Sequence, residues 1–308
     1  NKLLNKYSKN IISTDNFNFK FKCEKGHIFE IDRNLLKNRK KHKTVICTIC
    51  NPINSSSGYQ NQLLELIKNN YNKEILINNR KTINKELDIY LPDLNLAFEF
   101  NGLYWHSNLF KDKNYHLNKS KVCENNNIRL IHIWEDDWIY KQKIVKSIIL
   151  KELNVIKLIN NNFKIKEINN NKLVKEFLNK NHIKDFINSK IKLGLFYNNI
   201  LISLMCFKKN KNDYEIIRFC DKIEYKTDGK ILLNHFIKKY NSKKIIVFSD
   251  RNYKSFYENL GFKFKNELKP NSYYIINNQR KYKNKNKDKN IYKIYDSGKI
   301  KLVKNKKL

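Results

Sequence analysis

A chain of 308 residues that is 41% hydrophobic and 13% aromatic carries enough apolar material for two or three cores, which excludes a disordered tail. Lys and Arg number 63 against 29 Asp and Glu, and the net charge of +34 points to a polyanionic partner through counterion release. No long apolar run, signal-type segment or basic amphipathic helix stands out, so the expectation is an intracellular, DNA-associated protein with no membrane partner.

The first module is expected over residues 1–57. Cys23-x-x-x-His27 and Cys47-x-x-Cys50 supply four soft or borderline ligands in two close pairs, the set that tetrahedral Zn²⁺ takes. Gly26 permits the tight turn between the first two, and four filled positions imply a structural ion. His42 is a rival fourth ligand, but it sits in a run of Lys and Arg that suits phosphate or solvent. The turn-rich stretch from Asn51 to Gly58 closes this module. The chain begins with Asn1 rather than Met, which implies a processed, trimmed or incomplete start.

Residues 58–157 form the second expected domain. Periodicity predicts a helix over Tyr59–Asn69, strands near Ile75, Leu87 and Phe98, a helix over Tyr115–Asn126, a strand over Arg129–Trp134 and a helix over Asp137–Leu153. Alternation on either side of Pro92-Asp93 predicts a hairpin folded about Asp93 and Leu94, with Asp88 facing Glu99 and Glu86 facing Asn101. In that register Leu87, Ile89, Phe98 and Phe100 share an apolar face, and the opposite face is acidic. Two carboxylates across a ladder repel unless a cation bridges them, so Asp88 and Glu99 are expected to hold a divalent ion, Mg²⁺ or a similar metal. Gly102-Leu-Tyr-Trp-His106-Ser follows directly, and Tyr115-His116 opens the next helix. With Asn101, Lys119 and Glu135 these imidazoles would line a polar cleft.

The run from Glu86 to His106, with Tyr115-His116-x-x-Lys119 and Arg129-Leu-Ile-His-Ile-Trp-Glu-Asp-Asp-Trp138, resembles very-short-patch-repair-type endonucleases and related phage homing endonucleases of the PD-(D/E)XK superfamily. The resemblance implies a restriction-endonuclease-like αβββαβ core that hydrolyses phosphodiester bonds of double-stranded DNA. Asp88 would be the central metal-binding aspartate, Glu99 a second acid and His106 the residue working on water or phosphate. Glu65 and Glu135 are weaker candidates. Asn101 stands where many members have Lys, which leaves the positioning of water open, with His106 or His116 as substitutes.

The third domain is expected over residues 163–308. Strands are predicted near Ile191–Phe196, Ile200–Phe207 and Ile245–Ser249, with a basic loop and a docked apolar segment, Ile291–Tyr295, near the end. Phe256-Tyr-Glu-Asn-Leu-Gly-Phe262 after the last of these resembles the helix-to-strand motif of GNAT acetyltransferases. An active member needs a Gly-rich turn whose N–H groups cradle the coenzyme A pyrophosphate. The matching turn, Thr227-Asp228-Gly229-Lys230, has one Gly and an acid, which favours a repurposed binding fold over an acetyltransferase.

The fold expected is therefore α+β or α/β and multidomain: a zinc module, a restriction-type core and a GNAT-like mixed sheet. The function expected is a metal-dependent DNA endonuclease of homing type. An N-acetyltransferase and a catalytically silent DNA-binding protein are the alternatives.

Overall fold

Short alternating segments separated by polar turns build antiparallel strands, and the N-terminal sheet forms this way: β1 (Ile11–Thr14), β2 (Asn18–Lys22) and β3 (Ile28–Asp32), in that order. The structure is a computed structural model describing residues 11–14, 18–24, 26–41, 45–48, 56–159, 163–211, 213–282 and 291–306. Helix α1 (Arg33–Lys41) starts at once after β3, because Asp32 Oδ1 accepts the N–H groups of Asn34 and Leu35, both at 2.9 Å. Phe29 and Ile31 alternate inward and meet Phe19, Phe21, Leu36 and Cys47. These elements belong to one compact unit, residues 1–58, and residues 59–308 form the other.

Helix α2 (Ser56–Lys68), which enters the second unit at Tyr59, precedes a four-stranded sheet of order β4 (Leu76–Asn79), β5 (Leu87–Leu91), β6 (Leu96–Asn101) and β7 (Arg129–Trp134). The hairpin takes the expected register: Ile89 pairs with Phe98, Tyr90 with Ala97 and Leu91 with Leu96. Asn95 closes it at φ 46°, a conformation Asn tolerates. β6 and β7 are parallel, joined through α3 (Tyr115–Asn125).

Both faces of this hairpin are buried, which corrects the picture of one apolar and one acidic face. Ile89, Leu91, Phe98 and Phe100 pack with Leu63 and Ile67 of α2. Tyr90 and Ala97 pack the other way, with Cys123 of α3 and Leu130. Leu87 joins this second cluster instead of the first. Apolar covering extends along α3 and leaves the acids confined to the far end of the strands.

The helix expected over Asp137–Leu153 is two helices, α4 (Glu135–Tyr140) and α5 (Gln142–Glu152). Lys141 leaves helical geometry at φ −133°, and its ammonium pairs with Asp185 at 2.7 Å, a long-range partner that local periodicity does not reveal.

The remaining chain builds a seven-stranded sheet: β8 (Lys164–Glu167), α6 (Asn171–Asn181), β9 (Ile191–Tyr197), β10 (Ile200–Asn210), β11 (Asp213–Asp221), α7 (Lys230–Tyr240), β12 (Lys244–Asp250), α8 (Lys254–Asn259), β13 (Lys263–Glu267) and β17 (Lys299–Asn305). The order is β13-β17-β12-β11-β10-β9-β8. β11 and β12 are its one parallel pair among the described residues. A small sheet, β14 (Ser272–Ile276) between β15 (Gln279–Lys281) and β16 (Lys293–Tyr295), sits on the middle segment: Ile294, Tyr273 and Ile275 share a core with Leu103 and Trp134. Among the described residues no helix is long and apolar enough to cross a membrane.

Candidate functional site

Parallel pairing sets Glu99 beside His132 and Asn101 beside Trp134, so alternate positions of β6 and β7 face α3 together. At this end α3 contributes His116, Lys119 and Ser120, all buried. Lys119 Nζ donates to Glu99 Oε1 within a site where both side chains are 4% exposed. Asp88 stands in extension of the hairpin register, and its Oδ2 accepts the Phe100 N–H at 2.8 Å. Asn101 Nδ2 donates to His132 Nδ1 at 3.1 Å. The second nitrogen of His132 then bonds Ser120 Oγ at 2.9 Å, which places its proton on Nε2. His106 stacks on His116 at 5.1 Å, and His116 lies against Trp134.

The charges of this cluster do not close. Two carboxylates face one ammonium, and burial together with the charge of Asp88 pushes Glu99 up to about 8. Burial also raises Asp88 and holds His106 and His132 down at about 3. Glu99 Oε2, Asn101 Oδ1, His106 Nδ1 and both ring nitrogens of His116 are buried without a hydrogen-bond partner. A buried polar atom left unpaired costs about 1–3 kcal/mol, and five such atoms gather in this one cluster. Glu135 acts elsewhere, since its Oε2 accepts the Leu103 N–H at 2.7 Å and anchors the turn that carries His106. Glu65 is exposed on α2 and stands apart from these bonds.

A second site lies where β11 and β12 part. Tyr214, Glu215 and Ile216 pair with Ile245, Ile246 and Val247, and there the ladder stops. Beyond it opens a cleft of about 520 Å³ walled by Ile217–Asp221, Phe248–Asp250, His182, Lys184, Tyr253 and Tyr257. Lys184 Nζ bonds both oxygens of Asp250, at 2.8 and 2.9 Å. Burial works against the charge of Asp250, but Lys184 outweighs it and lowers the pKa. His182 Nδ1 accepts the Lys184 N–H, so the neutral ring carries its proton on Nε2 and can donate. Burial keeps the Tyr257 hydroxyl protonated.

The turn leading into α7 closes on itself. Gly229 sits at φ 71° against the Phe219 ring, where a Cβ would meet that ring at 3.1 Å. Asp221 accepts from the Thr227 N–H and hydroxyl, and Asp228 Oδ1 accepts the Lys230 N–H at 2.9 Å. The same turn is docked on α5: Ser147 Oγ donates to Ile223 O, Lys151 Nζ to Lys222 O, and Lys226 Nζ to Lys151 O.

The chain matches no family model and no curated protein. Solved structures to which the chain is similar include acetyltransferases. One is the ribosomal-protein-S18-alanine N-acetyltransferase from Escherichia coli, at 14% identity and a TM-score of 0.35, covering 48% of this chain and 96% of that one. Another is the IAA acetyltransferase from Bacillus cereus ATCC 14579, at 14% and 0.33, covering 47% and 100%. A third is an aminoglycoside 6'-acetyltransferase type Ii, at 18% and 0.32, covering 46% and 96%. At such low similarity these matches concern fold and not chemistry. The expected enzyme is corrected on this finding: the solved structures named are acetyltransferases, and a DNA endonuclease, a phosphodiester hydrolase, is not retained.

In the first unit the Cys23 and Cys47 sulfurs and a His27 ring nitrogen lie within 4.8 Å of one another. Cys50 and His42 lie outside the described residues. Sequence reasoning missed His132 and Ser120, because their membership depends on the parallel pairing of β7. It also gave no role to His182, Lys184 and Asp250, whose meeting joins the segment after α6 to β12.

Proposed function

We propose that the cleft between β11 and β12 is the working site of the chain and that it transfers an acyl group from a thioester donor to an amine. The parted parallel pair carries this reading. Strands that separate after three register pairs leave main-chain N–H and C=O groups of residues 217–221 and 248–250 without each other, and an extended, amide-rich donor arm suits such edges. The phosphate end of coenzyme A finds a poorer fit. Asp221 and Asp228 already take the N–H groups of Thr227 and Lys230 that would face a pyrophosphate, so the donor's hold is expected to be weak.

In this reading the amine attacks the acyl carbon, the C–S bond breaks and the thiol leaves. Asp250 is a carboxylate of the cleft wall placed to accept the amine's proton, and Tyr257 is a hydroxyl of the same wall that can supply one to the departing sulfur. Purified protein given radiolabelled acetyl-CoA and a panel of amines and peptides should transfer label, and Tyr257→Phe should lower the rate about tenfold or more. Absence of transfer to every amine tested would sink the reading.

The orphaned atoms around Glu99 favour a second, separate role for the middle segment. Its succession of α2, β4, β5, β6, α3 and β7 follows the αβββαβ order that the resemblance in sequence implies. Asp88 and Glu99 offer hard oxygen donors suited to Mg²⁺, and the Lys-rich chain suits double-stranded DNA as a partner. Calorimetric Mg²⁺ titration should see one site in the chain and none in Glu99→Gln; equal heats from both would end this assignment.

A further inference from the structure

The N-terminal unit is small. Among the described residues its core is Phe19, Phe21, Phe29, Ile31, Leu36 and Cys47, in a unit of residues 1–58. Units of this size bury little surface and are marginal in stability, and a metal or cross-links often reinforce them. At the end of that core the Cys23, His27 and Cys47 donor atoms converge within 4.8 Å, with Cys47 Sγ and His27 Nδ1 3.9 Å apart. A tetrahedral ion with bonds of about 2.0–2.3 Å sets its ligand atoms about 3.5–3.8 Å apart, so the spacing suits one metal ion shared by three donors.

Two devices of the local fold aim these donors. The first pair is held by a turn in which Gly26, at φ 82°, donates to Cys23 O at 2.9 Å and Cys23 N donates back to His27 O at 2.9 Å. The second is Arg39, a residue of α1 that is 7% exposed. Its Nη1 donates to three successive carbonyls, Val45, Ile46 and Cys47, at 3.2, 2.9 and 3.1 Å. A guanidinium spent on main-chain oxygens orders the segment that delivers the Cys47 sulfur.

We infer that Cys23, His27 and Cys47 bind one thiophilic divalent ion of the Zn²⁺ class, and that Arg39 is the positioning residue that presents Cys47 to it. The ion is structural, since it ties the β2–β3 side of the unit to the segment after α1.

Full-length protein purified without chelator should contain about one zinc per chain, and Co²⁺ exchanged into it should give the visible bands of a tetrahedral thiolate site. Cys47→Ser should lower bound metal to less than about a tenth. If that variant misfolds, His27→Cys keeps the test alive, because it should retain one metal while the Co²⁺ bands intensify with the added thiolate. Arg39→Gln should retain the metal but release it to a chelator about tenfold faster. The inference is overturned by metal-free wild type, by a Cys23–Cys47 disulfide found by mass, or by unchanged metal content in Cys47→Ser. Equal release rates in Arg39→Gln would remove Arg39 from the assignment.

Discussion

Glu99 shows how a single residue can be kept against its own preference. Its carboxyl is raised from 4.5 to about 8, with burial the main cause and Asp88 the next. The folded state therefore holds a proton that the unfolded state releases. Stability from this group is greatest below about pH 4.5 and is lost as pH climbs toward 8, a change on the order of a few kcal/mol. Urea midpoints taken in chelator at pH 5 and pH 8 should fall with pH, and Glu99→Gln should flatten the dependence. Mg²⁺ should restore the pH 8 midpoint of the parent chain only, because a cation does electrostatically what the proton does. A parent chain equally stable at both values would refute the linkage.

At the level of elements, the turn before α7 tests whether the cleft was shaped for phosphate. Asp228 caps the Lys230 N–H and places a negative charge at the helix start, where an anion would otherwise be favoured. Asp228→Ala should cost about 1 kcal/mol of stability through the lost cap. It should also tighten acetyl-CoA binding, on the order of tenfold, by freeing the N–H and removing the repulsion. Measured affinity that stays the same or weakens would show that docking of this turn on α5, and not Asp228, keeps phosphate out. The hairpin teaches the converse lesson. Alternation about Asp93 points to the right register, because the period of a strand is local. Its acidic face was misjudged, because covering by α3 belongs to another part of the chain.

At the scale of the second unit, the C-terminal sheets grip the middle segment through charged clamps. Arg280 of β15 is 14% exposed, bonds both Asp136 and Asp137 of α4, and lies over the Trp134 ring at 4.5 Å. Arg251 does the same between Glu124 of α3 and Glu267 of β13. Removing one member of a buried pair leaves its partner's charge stranded, so Arg280→Ala should cost about 3–5 kcal/mol. Guanidinium unfolding should then show the small sheet releasing before the rest. A loss below about 1 kcal/mol would mean that the pairs are solvated and the shared core around Ile294 does the holding.

The sequence by itself determined the features whose cause is local. Those are the element types of long periodic segments, the hairpin register, the paired Cys and His at metal-ligand spacing, and the candidates Asp88, Glu99, Asn101, His106, His116 and Lys119 that one end of β6 and α3 brings together. Tertiary structure alone decided which partners these residues meet. Glu99 faces Lys119 and His132 because β7 pairs in parallel after a helical crossover, and no spacing in the chain encodes that. The cleft likewise exists only where β11 and β12 part, 28 positions of sequence separating Ile216 from Lys244. A strand's side-chain alternation is fixed by its own backbone, whereas a site is assembled by pairings between distant segments, and their energies are settled only when the whole unit packs.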